Sequence, residues 1–290
     1  MLQAIANGLG LGGIYAMIAI GFSIIFNVTK TFHFAHGGVY LWTAYVIAFF
    51  LGKGSPLWFA LALGLVVAVT LGTGMEMFIY RPMRRRGASG LSLFVASLGL
   101  LIFLQNLIQI VFGVDLQQVT LPYLQASVHF GSVVMLTAAV LQFVVAVIIV
   151  LGVSSLLRWT SLGYRMRAVA SNIDMAALVG ISPTRVYVLA FAVGSGLIVP
   201  AAYLNSVTSG LDPSVGETLM LITLISVIVG GVGSIPGAAI GAWFIALCES
   251  IVVLKLQVQW QDAVAFGVLI VFIVFRPTGI LGRKVWASGV

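Results

Sequence analysis

Four groups of residues in this sequence have the types and spacing that chemistry needs. His33 and His36 stand three apart in FHFAHGG, at 32–38, and share a face if the segment is helical. Two histidines with no carboxylate or thiolate beside them make a weak metal site. Two other readings stay open. One is an interfacial loop whose histidines find ordinary hydrogen bonds. The other is a broken, partly re-entrant segment in which His33, His36 and Gly37 line a pathway, since irregular backbone is tolerated at membrane depth where it borders a cavity. Glu76 and Glu249 are acids inside apolar runs, where an ionisable group is a functional candidate by default. Glu76 has a plainer explanation in a local ion pair with Arg81 or Arg84. The stretch GGVGSIPGAAIGA, at 230–242, puts five glycines and a proline into thirteen residues, which no ordinary helix interior accepts. It is either a cytoplasmic turn between tightly packed helices or a discontinuous helix near the midplane. Paired Gly/Pro interruptions in two halves of a transporter point to a substrate site. On that reading Gly231, Gly233, Ser234, Pro236 and Gly237 join His33, His36 and Gly37 as pathway candidates.

The fourth group is TSLGYRMRAVASNIDMAALVGI, at 160–181, the longest polar interval in a very apolar chain. A simple reversal of direction needs only a handful of residues. Local physics predicts a short helix here. Thr160 or Ser161 can cap it by accepting backbone N–H bonds. Leu162, Met166 and Val169 recur at helical spacing and make an apolar stripe, with Arg165 and Arg167 off it. Asn172 and Asp174 offer a stop and a new cap. A second turn or two runs over 175–179, and Gly180 is free to close it in the left-handed conformation. Either the segment is a surface built to be touched by something in water, or it is a solvated loop whose arginines only set orientation.

The elements that must position these groups are membrane spans. Of 290 residues, 61% are hydrophobic and 7% charged, and mean hydropathy is +1.17. A soluble domain carries about 25% charged residues. The fold class is therefore an all-α polytopic membrane protein, because a span needs about 20 apolar residues. Long unbroken apolar runs exclude a β-barrel, which needs alternation. The formal charge of +7 is not a nucleic-acid signal. Its basic residues cluster at Arg81, Arg84, Arg85 and Arg86; at Arg158, Arg165, Arg167 and Arg185; and at Arg276, Arg283 and Lys284. All three clusters flank apolar spans, the positive-inside pattern. Cys248 is the only cysteine and lies in an apolar run, so neither a disulfide nor a cysteine metal cluster forms within one chain. No cofactor is indicated. The N-terminus lacks the basic region and cleavage site of a signal peptide and reads as an uncleaved first span.

Nine spans are expected, at 5–26, 39–51, 57–80, 91–112, 133–151, 185–206, 218–229, 238–253 and 263–275, within a range of eight to ten and with broken or re-entrant segments among them. Pro200, after Gly194, Ser195 and Gly196, should kink the sixth. With the Arg81–Arg86 cluster inside and the spans alternating, the N-terminus is outside and the C-terminus cytoplasmic. Every lysine and arginine except Lys53 and Lys255 then falls inside, while Asp115, Asp212, Glu217 and Asp262 fall outside. The polar, lysine-free stretches 113–131 and 205–217 read as external. The whole of 1–290 reads as one transmembrane domain.

LGYRMRA, then Asn172, then AALVGI resemble the coupling segment of the LivH-type permeases of branched-chain amino acid ABC importers. FHFAHGGVYLWTAY, at 32–45, and GGVGSIPGAAIGA agree in order, so the likeness runs over nearly the whole chain. The resemblance implies a permease subunit in a bacterial cytoplasmic (inner) membrane. Its partners would be a second, LivM-type permease, two cytoplasmic ATPase subunits and an external substrate-binding protein docking on the external stretches. Leu162, Gly163, Arg165, Arg167, Ala168, Asn172 and Gly180 would then form the ATPase-coupling surface, the arginines holding the ATPase and Gly163 allowing close approach. The chain has no Gly-rich phosphate loop with Lys and Ser/Thr, so it does not itself hydrolyse ATP and is not an enzyme. Urea, short amides and other amino acids remain open as substrates. The rival is an ion-coupled secondary transporter or channel, which needs intramembrane charges such as Glu76 and Glu249.

Overall fold

The structure is a computed structural model that describes residues 1–116, 119, 121–131, 133–254 and 256–282. Lys255, Arg283 and Lys284 of the charge pattern lie outside the described residues. In chain order the elements are α1 (Leu2–Thr29), α2 (His36–Gly52) and α3 (Leu57–Met75), which passes through a π-helical turn (Glu76–Tyr80) into α4 (Arg81–Arg85). Next come α5 (Gly90–Phe112), the short α6 (Pro122–Gln125), and a hairpin of β1 (Ser127–Phe130) and β2 (Val133–Leu136). The second half has α7 (Thr137–Trp159), α8 (Ser161–Ser171), α9 (Ile173–Leu178), α10 (Pro183–Gly196), α11 (Ile198–Thr208), α12 (Val215–Gly230), α13 (Ile235–Val253) and α14 (Gln261–Phe275). Six helices are long and apolar enough to cross a membrane, counting Leu57–Arg85 and Pro183–Thr208 as one each, and three shorter apolar helices of 10–17 residues accompany them. The chain is an all-α polytopic membrane protein, and the expected spans recur in order.

α1 is the centre. It is hydrophobic all round, which suits a helix with no lipid-facing side, and it packs on α7, α10, α11, α12 and α13. The glycines at its start permit this. Gly8 and Gly12 face Leu247, Trp243 and Ala246 of α13, while Gly13 faces Gln142 of α7. Such small-residue contacts bring helices close where no hydrophobic force separates protein from lipid. Tyr15 of α1 donates a 3.1 Å hydrogen bond to Glu249 of α13, and Trp243 Nε1 donates to the Leu9 carbonyl at 3.2 Å.

Two expectations are corrected. The fifth span does not begin at 133. Residues 133–136 instead pair antiparallel with 127–130, Val128 opposite Met135, and the helix runs 137–159. The Gln3 side-chain amide completes this hairpin, donating to the Val134 carbonyl at 2.6 Å and accepting its N–H at 3.0 Å. The sixth span is broken at Leu197 rather than bent at Pro200. Proline lacks an N–H and its ring opposes the carbonyl four residues back, here Gly196, so the disruption falls one turn before it. Glu249, four residues before the end of α13, is 1% exposed, as its place in an apolar run leads one to expect.

Among the described residues, Lys30, Arg158 and Arg167 gather at one end, away from Lys53. There Arg84 pairs with Glu76 and stacks 4.7 Å over the Tyr187 ring, and the C-termini of α1 and α7 meet α8 and the 231–234 turn. The hairpin, α6 and the start of α1 form the opposite end, where Tyr123 and Tyr203 share a 3.0 Å hydrogen bond.

Candidate functional site

The 160–181 segment folds as its caps predict. Thr160 is extended, and its Oγ1 accepts the Gly163 N–H at 3.2 Å. α8 buries Gly163, Met166 and Val169, half-buries Leu162 and Ala168, and exposes Tyr164, Arg165 and Arg167. Asn172 takes the second cap, its Oδ1 accepting the Met175 N–H at 3.0 Å, and Asp174 sits in the first turn of α9, where the helix dipole favours a negative charge. Gly180 closes α9 at φ 83°, with its N–H on the Ala177 carbonyl and the Ile181 N–H on Ala176. That pair of bonds is a Schellman ending.

Gly163 makes its close approach inside the chain, because a Cβ there would run into the Leu157 backbone at the end of α7. It packs α8 closely against the end of α7. α9 turns only Ala176 inward and leaves Met175, Leu178 and Val179 more than half exposed. These side chains leave an apolar knob on α9, and Tyr164 is likewise exposed on α8.

Arg165 and Arg167 part company, as residues two apart on a helix must. Arg167 borders a cavity of about 660 Å³ between α8, the ends of α1 and α7, and the turn before α13. Lys30, Arg158 and Ser234 also line it. Lys30 and Arg158 were not singled out as site residues from the sequence, because they stand 128 positions apart in the chain and no spacing rule joins them.

The pathway candidates divide into two places. Gly233, Ser234 and Pro236 line that cavity. Ser234 caps α13 by accepting the Gly237 N–H at 3.1 Å, while Gly231 packs on 281–282 and Gly237 on the end of α12. The glycine-rich stretch is thus a tight turn between packed helices. His33, His36 and Gly37 lie elsewhere, where α2 begins inside the protein. Both histidines are fully buried, and His33 Nδ1 is 2.8 Å from the Tyr80 hydroxyl. Ser97 of α5 satisfies the irregular backbone before them, accepting the Phe34 N–H and donating to the Phe32 carbonyl. Gly37 meets Gly216 and Met220 at the start of α12, so two helix N-termini approach one another in the core. Among the described residues no group of three or more His, Cys, Asp and Glu side chains could hold a metal ion.

Comparison with known proteins adds an independent line. Residues 4–273 match the family model described as branched-chain amino acid transport system / permease component. The chain is 33% identical to the high-affinity branched-chain amino acid transport system permease protein BraD of Pseudomonas aeruginosa, over 97% of this chain and 96% of that one. It is 32% identical, with the same coverage, to the LivH permease protein of Escherichia coli strain K12. A solved structure, PsaBC from Streptococcus pneumoniae in complex with Fab, is similar in fold at a TM-score of 0.53 and 10% identity, covering 94% of this chain and 91% of that one.

Proposed function

The chain belongs to the family of permease components of branched-chain amino acid transport systems, and on that premise we propose that it is the membrane-spanning permease subunit of an ATP-driven importer for branched-chain or related small amino acids. The observation that carries the proposal is the capped, amphipathic α8–α9 segment standing at the basic end of a chain that aligns with such permeases over nearly its full length. In this reading the basic end is cytoplasmic, with the N-terminus outside and the C-terminus inside, a reading that the clustering of cations supports. The chain is one transmembrane domain of a bacterial inner-membrane assembly. The assembly also holds a second, LivM-type permease, two cytoplasmic ATPases and an external binding protein.

The mechanism follows from what the segment can transmit. Arg165, Tyr164 and the knob of Met175, Leu178 and Val179 engage an ATPase. Gly163, seated on Leu157, makes α8 and α7 move as one body, so closure of the ATPase pair is passed to a spanning helix. α7 packs directly on α1, and α1 on most of the core. The solute path runs between this chain and its partner permease. An apolar wall with scattered hydroxyls and amides suits a small zwitterion with an aliphatic side chain. The ion-coupled alternative loses one of its two acids, because Glu76 is neutralised by Arg84.

The test is co-purification. The chain, tagged and extracted in mild detergent from its own host, should bring two P-loop ATPases and a second permease, and the assembly reconstituted with its binding protein should accumulate leucine, isoleucine or valine only with ATP. Recovery of the chain alone under conditions that preserve other importers would overturn the proposal.

A further inference from the structure

The cavity behind α8 carries an assignment that transport does not use. Three cations border it, Lys30 from the end of α1, Arg158 from α7 and Arg167 from α8, together with the polar side chains of Asn27, Ser154, Ser171 and Ser234. No carboxylate lines it. Among the described residues the one salt bridge is Glu76 with Arg84, so none of the three cations has an acidic partner. Arg158 rests against the Trp159 ring, 5.6 Å from its centroid. The remaining wall is apolar, with Ile24, Val28, Leu157 and Val232 among its members.

All three cations are exposed at the cavity mouth, and Lys30 is set apart by its backbone. It is the one non-glycine among the described residues with positive φ, at φ 55°, ψ 22°. This left-handed conformation closes α1, with the Lys30 N–H on the Phe26 carbonyl at 2.8 Å. A side chain there costs roughly 1–2 kcal/mol that glycine would not. Strained backbone of this kind persists where the surroundings hold it and a function uses the residue. Desolvation of part of its side chain lowers the Lys30 ammonium from its usual 10.5, although the residue as a whole stays exposed.

We propose that this cavity binds a phosphate-bearing anion, held by Lys30, Arg158 and Arg167 and by the hydroxyls of Ser154, Ser171 and Ser234. Charge complementarity selects against a second molecule of transported amino acid, because an ammonium group would enter among three cations with no acid to meet it. Guanidinium groups and hydroxyls are the usual partners of phosphate oxygens. Two sources share this chemistry: the headgroup of an anionic phospholipid, whose glycerol and upper chain would lie on the apolar wall, and a soluble phosphate or phosphate ester. Occupancy would bridge α8 to α1 and the 231–236 turn, and so would stiffen the element that passes movement to the core. The inference does not rest on the transport reading, because binding is measured without ATP or transported solute.

The full chain is placed in phosphatidylcholine nanodiscs, with phosphatidylglycerol as one probe, read by native mass spectrometry, and inorganic phosphate as the other, read by calorimetry. Three variants are compared. Lys30→Gly removes a cation while relieving the backbone, so it cannot lose binding by misfolding there. Arg158→Gln removes a second cation. Arg85→Gln removes an equal charge from α4, outside the cavity. Loss of one charge-assisted contact should weaken binding about tenfold in the first two and leave Arg85→Gln unchanged. That pattern with phosphatidylglycerol supports a lipid occupant, and the same pattern with phosphate alone supports a soluble one. Equal loss in Arg85→Gln, indifference between phosphatidylglycerol and phosphatidylcholine without phosphate binding, or cross-linking of Lys30 only to an acidic segment of a co-purifying subunit would each overturn the assignment.

Discussion

Gly163→Ala tests how α8 is held. The added Cβ would stand inside van der Waals contact of three backbone atoms of Leu157. Backbone cannot rotate aside as a side chain can. The turn between the helices is also pinned, with Thr160 Oγ1 bonded both to the Leu156 carbonyl at 2.6 Å and to the Gly163 N–H. Overpacking of this kind costs about 1–3 kcal/mol. α8 is held chiefly by Met166 and Val169, 3% and 1% exposed, each contributing roughly 1.5–3 kcal/mol through burial. The substitution therefore removes a large part of the docking energy without exceeding it: α8 stays helical but lifts. The expected result is normal insertion and normal amounts of assembled complex, with uptake per ATP hydrolysed down about tenfold, the factor that 1.4 kcal/mol represents. A cysteine placed at Tyr164 should also react faster with a membrane-impermeant maleimide added to the cytoplasmic face. Gly152→Ala, where a Cβ meets nothing within 4 Å, is the control. Unchanged uptake and unchanged labelling in Gly163→Ala would refute the claim that α8 is rigidly seated on α7.

Three further outcomes are expected. Arg84→Ala strands a carboxylate at a fully buried position, so thermal stability in detergent should fall by the equivalent of about 3–5 kcal/mol, and Glu76→Leu combined with Arg84→Met should restore most of it. Asn172→Ala removes the cap of α9 and should cost ~1 kcal/mol, seen as faster proteolysis within 172–180, whereas Asn172→Asp should behave as the parent. Arg165→Glu and Arg167→Glu should both leave the chain inserted and abolish uptake, but only Arg167→Glu should also reduce anion retention in the cavity; loss of retention in both would mean that the two arginines do not face different ways.

Local signals made much of the fold legible. The nine apolar runs were visible because lipid demands length and apolarity together. Thr160, Asn172 and Gly180 were readable because capping is decided within three or four residues. Glu76 announced its partner eight residues away. What stayed hidden depends on contacts between distant parts of the chain. Val133 to Leu136 look like the start of a span until β1 and the amide of Gln3, 131 positions earlier, claim their backbone. His33 gave no hint that it would be buried against Tyr80, 47 positions on. The fifth span is expected to end at 151, yet α7 continues to Trp159 and carries Leu157 beneath Gly163. The cavity was invisible for the same reason, since its three cations come from three separate helices.

The central position of α1 has a consequence for how the chain is made. Its Tyr15 hydroxyl finds Glu249 only after 234 further residues have been synthesised. At ribosomal speeds of about 5–20 residues per second, that is a wait of roughly 10–50 s. During this time the helix destined to have least contact with lipid is surrounded by it, its glycine face unmatched. A helix delivered to the bilayer well before α13 is thus among the last to reach its native neighbours. A nascent chain halted before α13 should expose to membrane proteases a surface that the finished protein never shows.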